Sequence, residues 1–311
     1  MNPFAKVLLF LAGLLLTLVF LGVLAVAVGV VKAPRLVQVT HHWGDVTHDS
    51  TQVLTDVELD NPNTFDINTR RLSFQADIAM NEVALGRGSL EEIHLPRGVS
   101  TSTVVTHLDN ERLTEWWGSH LAGHEFTTLR IKARGVVHLL GRNFTLGAPD
   151  LTRTVETDLL GAANSADAQV INQGQVSLLL KSRQLQWGQV TTSTTEILGS
   201  MLLRNTGLSS FTVTSRGMLA RMNSVLMAQA TATDTVTLLP GQDVTVPFRA
   251  VMDNSRLLDW WPTHVNGGER TTFYLQITAS FQGVAPDGST FIADLPLLVH
   301  QDQFVTHLLG E

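Results

Sequence analysis

One stretch of this sequence occurs twice, and that repetition limits the possible folds more than any other feature. Asp109–Glu125 reads D-N-E-R-L-T-E-W-W-G-S-H-L-A-G-H-E, and 144 positions later Asp253–Glu269 reads D-N-S-R-L-L-D-W-W-P-T-H-V-N-G-G-E. Asp, Asn, Arg, Leu, the Trp pair, His, Gly and Glu recur in register without a gap. Each copy carries the marks of a short amphipathic helix. Asp109 and Asp253 are natural N-caps, because a carboxylate there accepts from the free first-turn N–H groups. Leu113, Trp116, Trp117 and Leu121 then fall on one apolar stripe. Gly123 ends the first copy, and Pro262 followed by Gly267 ends the second. Two aligned copies of an adjacent Trp pair mark a tandem duplication. The spacing also agrees with two domains of ~150 residues.

The echo extends beyond the helix. Trp187-Gly188-Gln189-Val190-Thr191 repeats Trp43-Gly44-Asp45-Val46-Thr47 at the same offset of 144, and Thr157-Asp158-Leu159-Leu160-Gly161 is answered by Thr306-His307-Leu308-Leu309-Gly310. Between these marks the chain alternates polar and apolar residues, as half-buried strands require. Val53, Val57 and Leu59 form one such series, Leu72 to Met80 a second, Leu129 to Leu139 a third, and Phe273 to Phe281 a fourth. Asp60-Asn61-Pro62-Asn63 stops the first, since proline removes a ladder donor and fixes φ. Gly86-Arg87-Gly88 and Pro96-Arg97-Gly98 read as further turns. Short strands with frequent turns and one inserted helix describe a β-sandwich. The expected fold is therefore all-β, with two tandem sandwiches over residues 36–161 and 180–311. Ala162–Val176, small and polar, reads as a loose connection.

No charge interrupts Val7–Val31. As a helix at ~1.5 Å per residue this run would span about 37 Å, enough for a ~30 Å hydrocarbon core. It is read as a retained single-pass anchor rather than a cleaved signal, whose apolar region is shorter. Membrane lipids are thus the first expected partner. The sequon Asn143-Phe144-Thr145 suits a globular part outside the cytoplasm.

Composition narrows the chemistry. The net charge of −7 argues against nucleic acid as a partner, and zero cysteines remove disulfides, thiol nucleophiles and Cys-ligated zinc. His120, His124 and Glu125 could form part of a metal-dependent hydrolase, but a metal site needs a third ligand and a second shell, the sequence nominates neither, and helix-end histidines suit the C-terminal dipole anyway. His41, His42 and His48 read as a solvated segment beyond the anchor. Trp117 and Trp261 are expected to plug a sandwich end, with Trp116 and Trp260 partly exposed. Arg112 and Arg256 are placed to pair with Glu125 and Glu269 within their own units. No nucleotide-binding or hydrolase motif appears in its required context. The expectation is a non-enzyme with no catalytic residue, no metal and no cofactor.

The strand ending Val57-Glu58-Leu59-Asp60-Asn61-Pro62-Asn63, with Phe65 and Ile67 after it, resembles the group 2 late embryogenesis abundant family, also called the water stress and hypersensitive response (WHy) domain. The resemblance implies a fibronectin-III-like sandwich and a role in desiccation or other stress, with Asn61, Pro62, Asn63 and Phe65 as the family motif. It brings no catalytic residues. In the second unit Asn205-Thr206-Gly207 keeps only the first Asn, so that half rests on the internal repeat. The reading is a membrane-anchored stress-protective or binding module, with a lipid or protein ligand left open. The alternative is a lipid-binding or lipid-transfer protein whose sheets part around an acyl chain.

Overall fold

The computed structural model describes residues 32 and 34–309, apart from 70–71, 91–92, 140–141, 148–149, 165–167 and 231–234. The apolar run Val7–Val31 lies outside the described residues, and among those described no helix is long and apolar enough to cross a membrane.

Strands dominate. The first half carries β1 (Arg35–Val46), β2 (Ser50–Asn61), β3 (Ile67–Thr69), β4 (Leu72–Met80), β5 (Val83–Leu90), β6 (Ile93–Leu95), β7 (Gly98–Asp109), α1 (Leu113–Ala122), β8 (Phe126–Leu139), β9 (Arg142–Gly147) and β10 (Leu151–Glu156). The second carries β11 (Gln169–Gln173), β12 (Val176–Val190), β13 (Thr194–Asn205), β14 (Phe211–Met222), β15 (Val225–Gln229), β16 (Thr235–Leu238), β17 (Asp243–Asp253), α2 (Arg256–Asn266), β18 (Arg270–Val284) and β19 (Thr290–Val305). The first sheet runs β1-β2-β7-β5-β4-β8-β10 with β9 on β8, and the second runs β11-β12-β13-β17-β15-β14-β18-β19 with β16 on β14. Every pairing within these sheets is antiparallel.

In each sheet one seam is very short. β5 meets β7 only at Gly86, Arg87 and Gly88, and β15 meets β17 only at Ala228 and Gln229. At these seams the sheet turns over, so that its halves enclose a core as a β-sandwich. The first seam explains two glycines that the sequence suggests are a turn. A Cβ on Gly86 would lie 2.2 Å from the His107 carbonyl oxygen, and one on Gly88 would lie 2.2 Å from Thr106 Oγ1. They sit inside β5 to allow close backbone approach. The turn itself is Asn81-Glu82, where both residues have positive φ.

The inward alternation holds along β2 and β18 and at Ala76, Ile78, Met80, Leu129 and Ile131, while the side chains of 72–74 and 135–139 lie outside the described residues. Along β2 the inward positions are Thr51, Val53, Thr55, Val57, Leu59 and Asn61. The polar members of this row matter below: Thr51 lies at one end of the strand and Asn61 at the other. Ten residues at ~3.3 Å separate them by roughly 33 Å. β13 repeats the arrangement from Thr195 to Asn205, both fully buried.

Two further expectations need correction. Pro262 does not end α2, which runs past it to Asn266 with Trp260, Trp261, His264 and Val265 buried along it, whereas Gly267, the second expected end signal, is its C-cap. Nor is 162–176 simply a loose connection. Ala162–Asn164 form a 3-10 turn and Gln169–Gln173 form β11. Asn164 both donates to and accepts from the Leu185 backbone, at 2.9 and 2.6 Å.

Candidate functional site: the tryptophan joint and the Asn-Pro-Asn turn

The duplicated helices begin with stapled turns. Asp109 accepts from the Glu111 N–H and Asp253 from the Ser255 N–H, each at 3.0 Å. Asp109 therefore caps the 3-10 turn Asn110–Arg112 that leads into α1, and Asp253 the turn that leads into α2, while the residues next to the helices, Arg112 and Ser255, make no side-chain cap bond. Asn110 and Asn254, each almost completely buried, fix that turn to the strands. The Asn110 amide donates to the carbonyls of Thr47 and His48 while its Oδ1 accepts from Thr51. Asn254 does the same with Thr191, Thr192 and Thr195.

The Trp pairs are where the two sandwiches meet. Trp117 donates to Thr195 of the second half at 3.1 Å, and Trp261 donates to Thr51 of the first at 2.9 Å. Trp43 donates to Glu269 and Trp187 to Glu125, both at 2.8 Å. Trp43 packs edge-on against Trp261, as Trp187 does against Trp117, with centroids 5.9 and 6.0 Å apart. Each contact has a partner displaced by 144 in both residues. That is the signature of an isologous interface, here within a single chain. Such edge-on pairs are worth ~0.5–1.5 kcal/mol each beyond the area they bury. All six tryptophans of the sequence lie at this joint.

This arrangement corrects two expectations. Trp116 and Trp260 are not partly exposed but 7% and 2% accessible, because the joint covers them and Thr127 and Thr271 accept from their indoles. Arg112 and Arg256 do not reach Glu125 and Glu269. They pair one turn along their own helices, with Glu115 and Asp259, leaving the two buried glutamates to accept from the opposite sandwich.

A directed chain of hydrogen bonds runs through each half. The Thr157 hydroxyl donates to Glu125 Oε2, so His120 Nε2 must carry the proton that meets Thr157 at 3.1 Å. Nδ1 of His120 is then the acceptor, receiving the Thr127 hydroxyl at 2.8 Å, while Trp116 donates to Thr127. Glu125 completes the series by accepting from Leu159 N and from Trp187 across the joint. The second half repeats it with Trp260, Thr271, His264, Thr306, Glu269, Leu308 N and Trp43. Both histidines must be neutral for this order to close. Burial pushes each down to about 4 from an ordinary value of 6.5. Both line one small cavity at the joint, of about 30 Å³, together with the four helix tryptophans.

The remaining histidines separate. His124 is exposed, with φ +57, where the second half has Gly268 at φ +73. It does not join His120 and Glu125, and among the described residues no group of three His, Asp or Glu is arranged to hold a metal. Of His41, His42 and His48, the last two are exposed, as a solvated segment requires, but all three belong to the fold rather than to a lead-in. His41 and His42 lie on β1, bonded to Thr55 and beside Asp56, and His48 sits in the turn that follows, against Asp49 and Asp259.

At the far end of β2 lies the second predicted site. Asn61 is 1% exposed and donates to the carbonyls of Phe65 and Leu95, at 2.9 and 3.2 Å. Its Oδ1 accepts from both the backbone and the side chain of Asn63. Asn63 in turn grips the chain before β1: Lys32 N donates to Asn63 Oδ1 at 2.8 Å and Asn63 Nδ2 donates to Lys32 O at 2.7 Å. Asn205 repeats the Asn61 role through Ser209, Leu238 and Gly207 N. The rest of the turn differs. Thr206 donates its N–H to Ser177 O, which Pro62 cannot do, and Gly207 has no amide to offer where Asn63 makes its grip.

Residues 56–148 match the family model of the late embryogenesis abundant protein (LEA_2). The LEA_2 match covers Asn61, Pro62, Asn63 and Phe65, the seam glycines and the whole of α1. Among solved structures, the chain is similar to a protein from Archaeoglobus fulgidus at 27% identity, covering 41% of this chain and 97% of that one with a TM-score of 0.35. An Arabidopsis thaliana protein solved in solution is 12% identical over 41% of this chain and 85% of its own, with a TM-score of 0.29. A Bacteroides uniformis β-glucuronidase is 8% identical, covers 82% of this chain and 26% of that one, and has a TM-score of 0.25. No curated protein matches.

The sequence singles out the Trp pairs and the Asn-Pro-Asn motif, and the structure places them about a strand's length apart. It does not single out Thr51, Thr195, Thr127 or Thr271, which carry the hydrogen bonds. A threonine on the inward side of an otherwise apolar strand was the available signal.

Proposed function

We propose that the chain is a membrane-anchored, non-enzymatic protective or binding module of the group 2 late embryogenesis abundant class. Residues 7–31 span the bilayer once, and residues 36–161 and 180–311 form two fibronectin-III-like sandwiches of that class outside the cytoplasm. The LEA_2 match over residues 56–148 carries this reading. The recurrence of the Thr–Asn staple, the Trp–Thr–His–Thr–Glu series and the buried Asn205 supports a second copy. The buried histidines and glutamates of the joint are each engaged in structural bonds, which supports a binding role over a catalytic one.

The lipid-transfer alternative asks for a dry apolar space, and small-molecule sites are typically ~300–1,000 Å³. Among the described residues the enclosed cavity at the joint holds about 30 Å³. An open groove of about 670 Å³ beside it has His124, Glu156 and Asp158 on its wall. Neither suits an acyl chain. The test uses the full chain in membranes: survival of a deletion strain through drying, with and without the restored protein, alongside mass spectrometry of copurifying lipid. Equal survival would overturn the protective reading, and a stoichiometric lipid would favour transfer.

A further inference from the structure

The grip of Asn63 on Lys32 has no counterpart in the second sandwich, and that difference points to a use. Lys32 is the first residue after the apolar run Val7–Val31. Its backbone N–H and carbonyl are both held by the Asn63 amide, and Asn63 is itself held by Asn61 in the core of the turn. In the second sandwich the equivalent position, Val176, opens β12 within the β11–β12 hairpin. There, an ordinary backbone bond from Thr206 suffices and glycine replaces Asn63. The first sandwich thus has a side-chain clamp where the apolar segment enters.

Apolar side chains ring this clamp. Leu36 pairs with Leu59 and Val99 with Asp60, the two residues that precede Asn61, and Phe65 closes the turn. Leu36, Val37, Phe65 and Val99 are 52, 53, 48 and 58% exposed. Exposed Lys32, Arg35 and Arg97 stand among them, against Asp66, which accepts from the Arg97 backbone, and half-buried Asp60.

We infer that this end of the first sandwich rests on the bilayer, with Phe65, Leu36, Val37 and Val99 entering the headgroup region and the three cations facing anionic lipid. The clamp makes the seat rigid, since a short lead from the apolar run to Asn63 leaves the sandwich no freedom to swing away. Apolar residues at the headgroup boundary gain from burial, and cations beside them are drawn to an anionic surface. The inference rests on the membrane-anchored reading above.

The absence of cysteine makes the test clean, because one introduced thiol is the only one. The full chain carrying Val99→Cys, Leu36→Cys or Leu208→Cys is labelled with bimane and reconstituted into phosphatidylcholine–phosphatidylglycerol vesicles containing doxyl-labelled lipid. Leu208, 91% exposed on the equivalent turn of the second sandwich, is the reference. Labels at Val99 and Leu36 should be quenched several-fold more than at Leu208, and adding Asn63→Gly should bring them to the Leu208 level while the protein still floats with the vesicles. Protein that floats with equal quenching at all three positions overturns the seat and leaves the anchor standing. Protein that fails to float overturns the anchor and the seat together. The wild-type comparison decides the matter even if Asn63→Gly fails to fold.

Discussion

Thr51→Val is the sharpest probe of the joint. The Thr51 hydroxyl accepts from Trp261 at 2.9 Å and donates to Asn110 at 3.0 Å, and all three residues are at most 1% exposed. Valine fills the same volume but can do neither. The substitution therefore strands an indole N–H and an amide oxygen in the interior without opening a cavity. Each stranded group costs about 1–3 kcal/mol, so the variant should lose about 2–6 kcal/mol. Thr195→Val strands Trp117 and Asn254 in the same manner. Because the contacts are reciprocal, the two losses should agree to within about 0.5 kcal/mol, the scatter of a neutral surface change. Urea unfolding of the full chain in micelles provides the assay. With a slope of about 3 kcal/mol per molar for a chain of this size, a 3 kcal/mol loss moves the midpoint down by about 1 M. Tryptophan emission reads the joint, where all six tryptophans sit, and far-UV dichroism reads the sheets. A Thr51→Val variant within about 0.5 kcal/mol of the parent would refute the hydrogen-bond reasoning. A marked inequality between the twins would refute the reciprocity.

Other outcomes follow from the same geometry. His120 and His264 have folded pKa values near 4 against 6.5 unfolded, so the unfolded chain takes up more protons below 6.5. Stability should be full above about pH 6.5, fall toward pH 4 by about 3 kcal/mol per histidine, and level off with respect to these groups below that. A midpoint unchanged between pH 7 and 4.5 would contradict it. Trp187→Phe removes one of the three donors to the buried Glu125 carboxylate and should cost about 1.5–3 kcal/mol. A double-mutant cycle with Glu125→Gln should show coupling near 1 kcal/mol or more, and additivity would deny the bond. Gly268→Ala adds a Cβ that touches nothing but sits at φ +73, so only the backbone resists, by about 1 kcal/mol. His124→Gly at the matching position should not destabilise, as thermal melts of the pair would show.

Much of the fold was legible because its signals are local. Alternation in β2 and β18, the Asp109 and Asp253 caps and the stop at Pro62 depend on neighbours within a few residues. The seam was misread because Gly86 and Gly88 look like turn residues, while what they accommodate, the backbone at Thr106 and His107, lies about twenty positions on. The joint was legible only as a repeat. Trp261 finds its acceptor 210 residues earlier, at Thr51, and Trp43 finds Glu269 226 residues later, so no spacing rule connects them. Trp116 looked like surface because the helix stripe shows which residues face inward on one unit, not which a second unit will cover. The Arg112–Glu125 expectation failed similarly, since Glu125 answers to Trp187 in the other half.

The reciprocity of the joint also matters while the chain is being made. The first sandwich emerges from the ribosome before Trp187, Thr195 and Glu269 can reach it, with Trp117 and Glu125 still lacking their partners. At a synthesis rate of about 5–20 residues per second, that interval lasts several seconds or more. The surface it presents is self-complementary: Trp117 and Thr51 of one nascent chain are the partners that Thr51 and Trp117 of another require. Neighbouring ribosomes on one message therefore produce chains able to pair first half with first half, leaving each second half without its mate. The exposure ends only when β12 and β13 bring Trp187 and Thr195 to the joint and the residues after α2 bring Glu269.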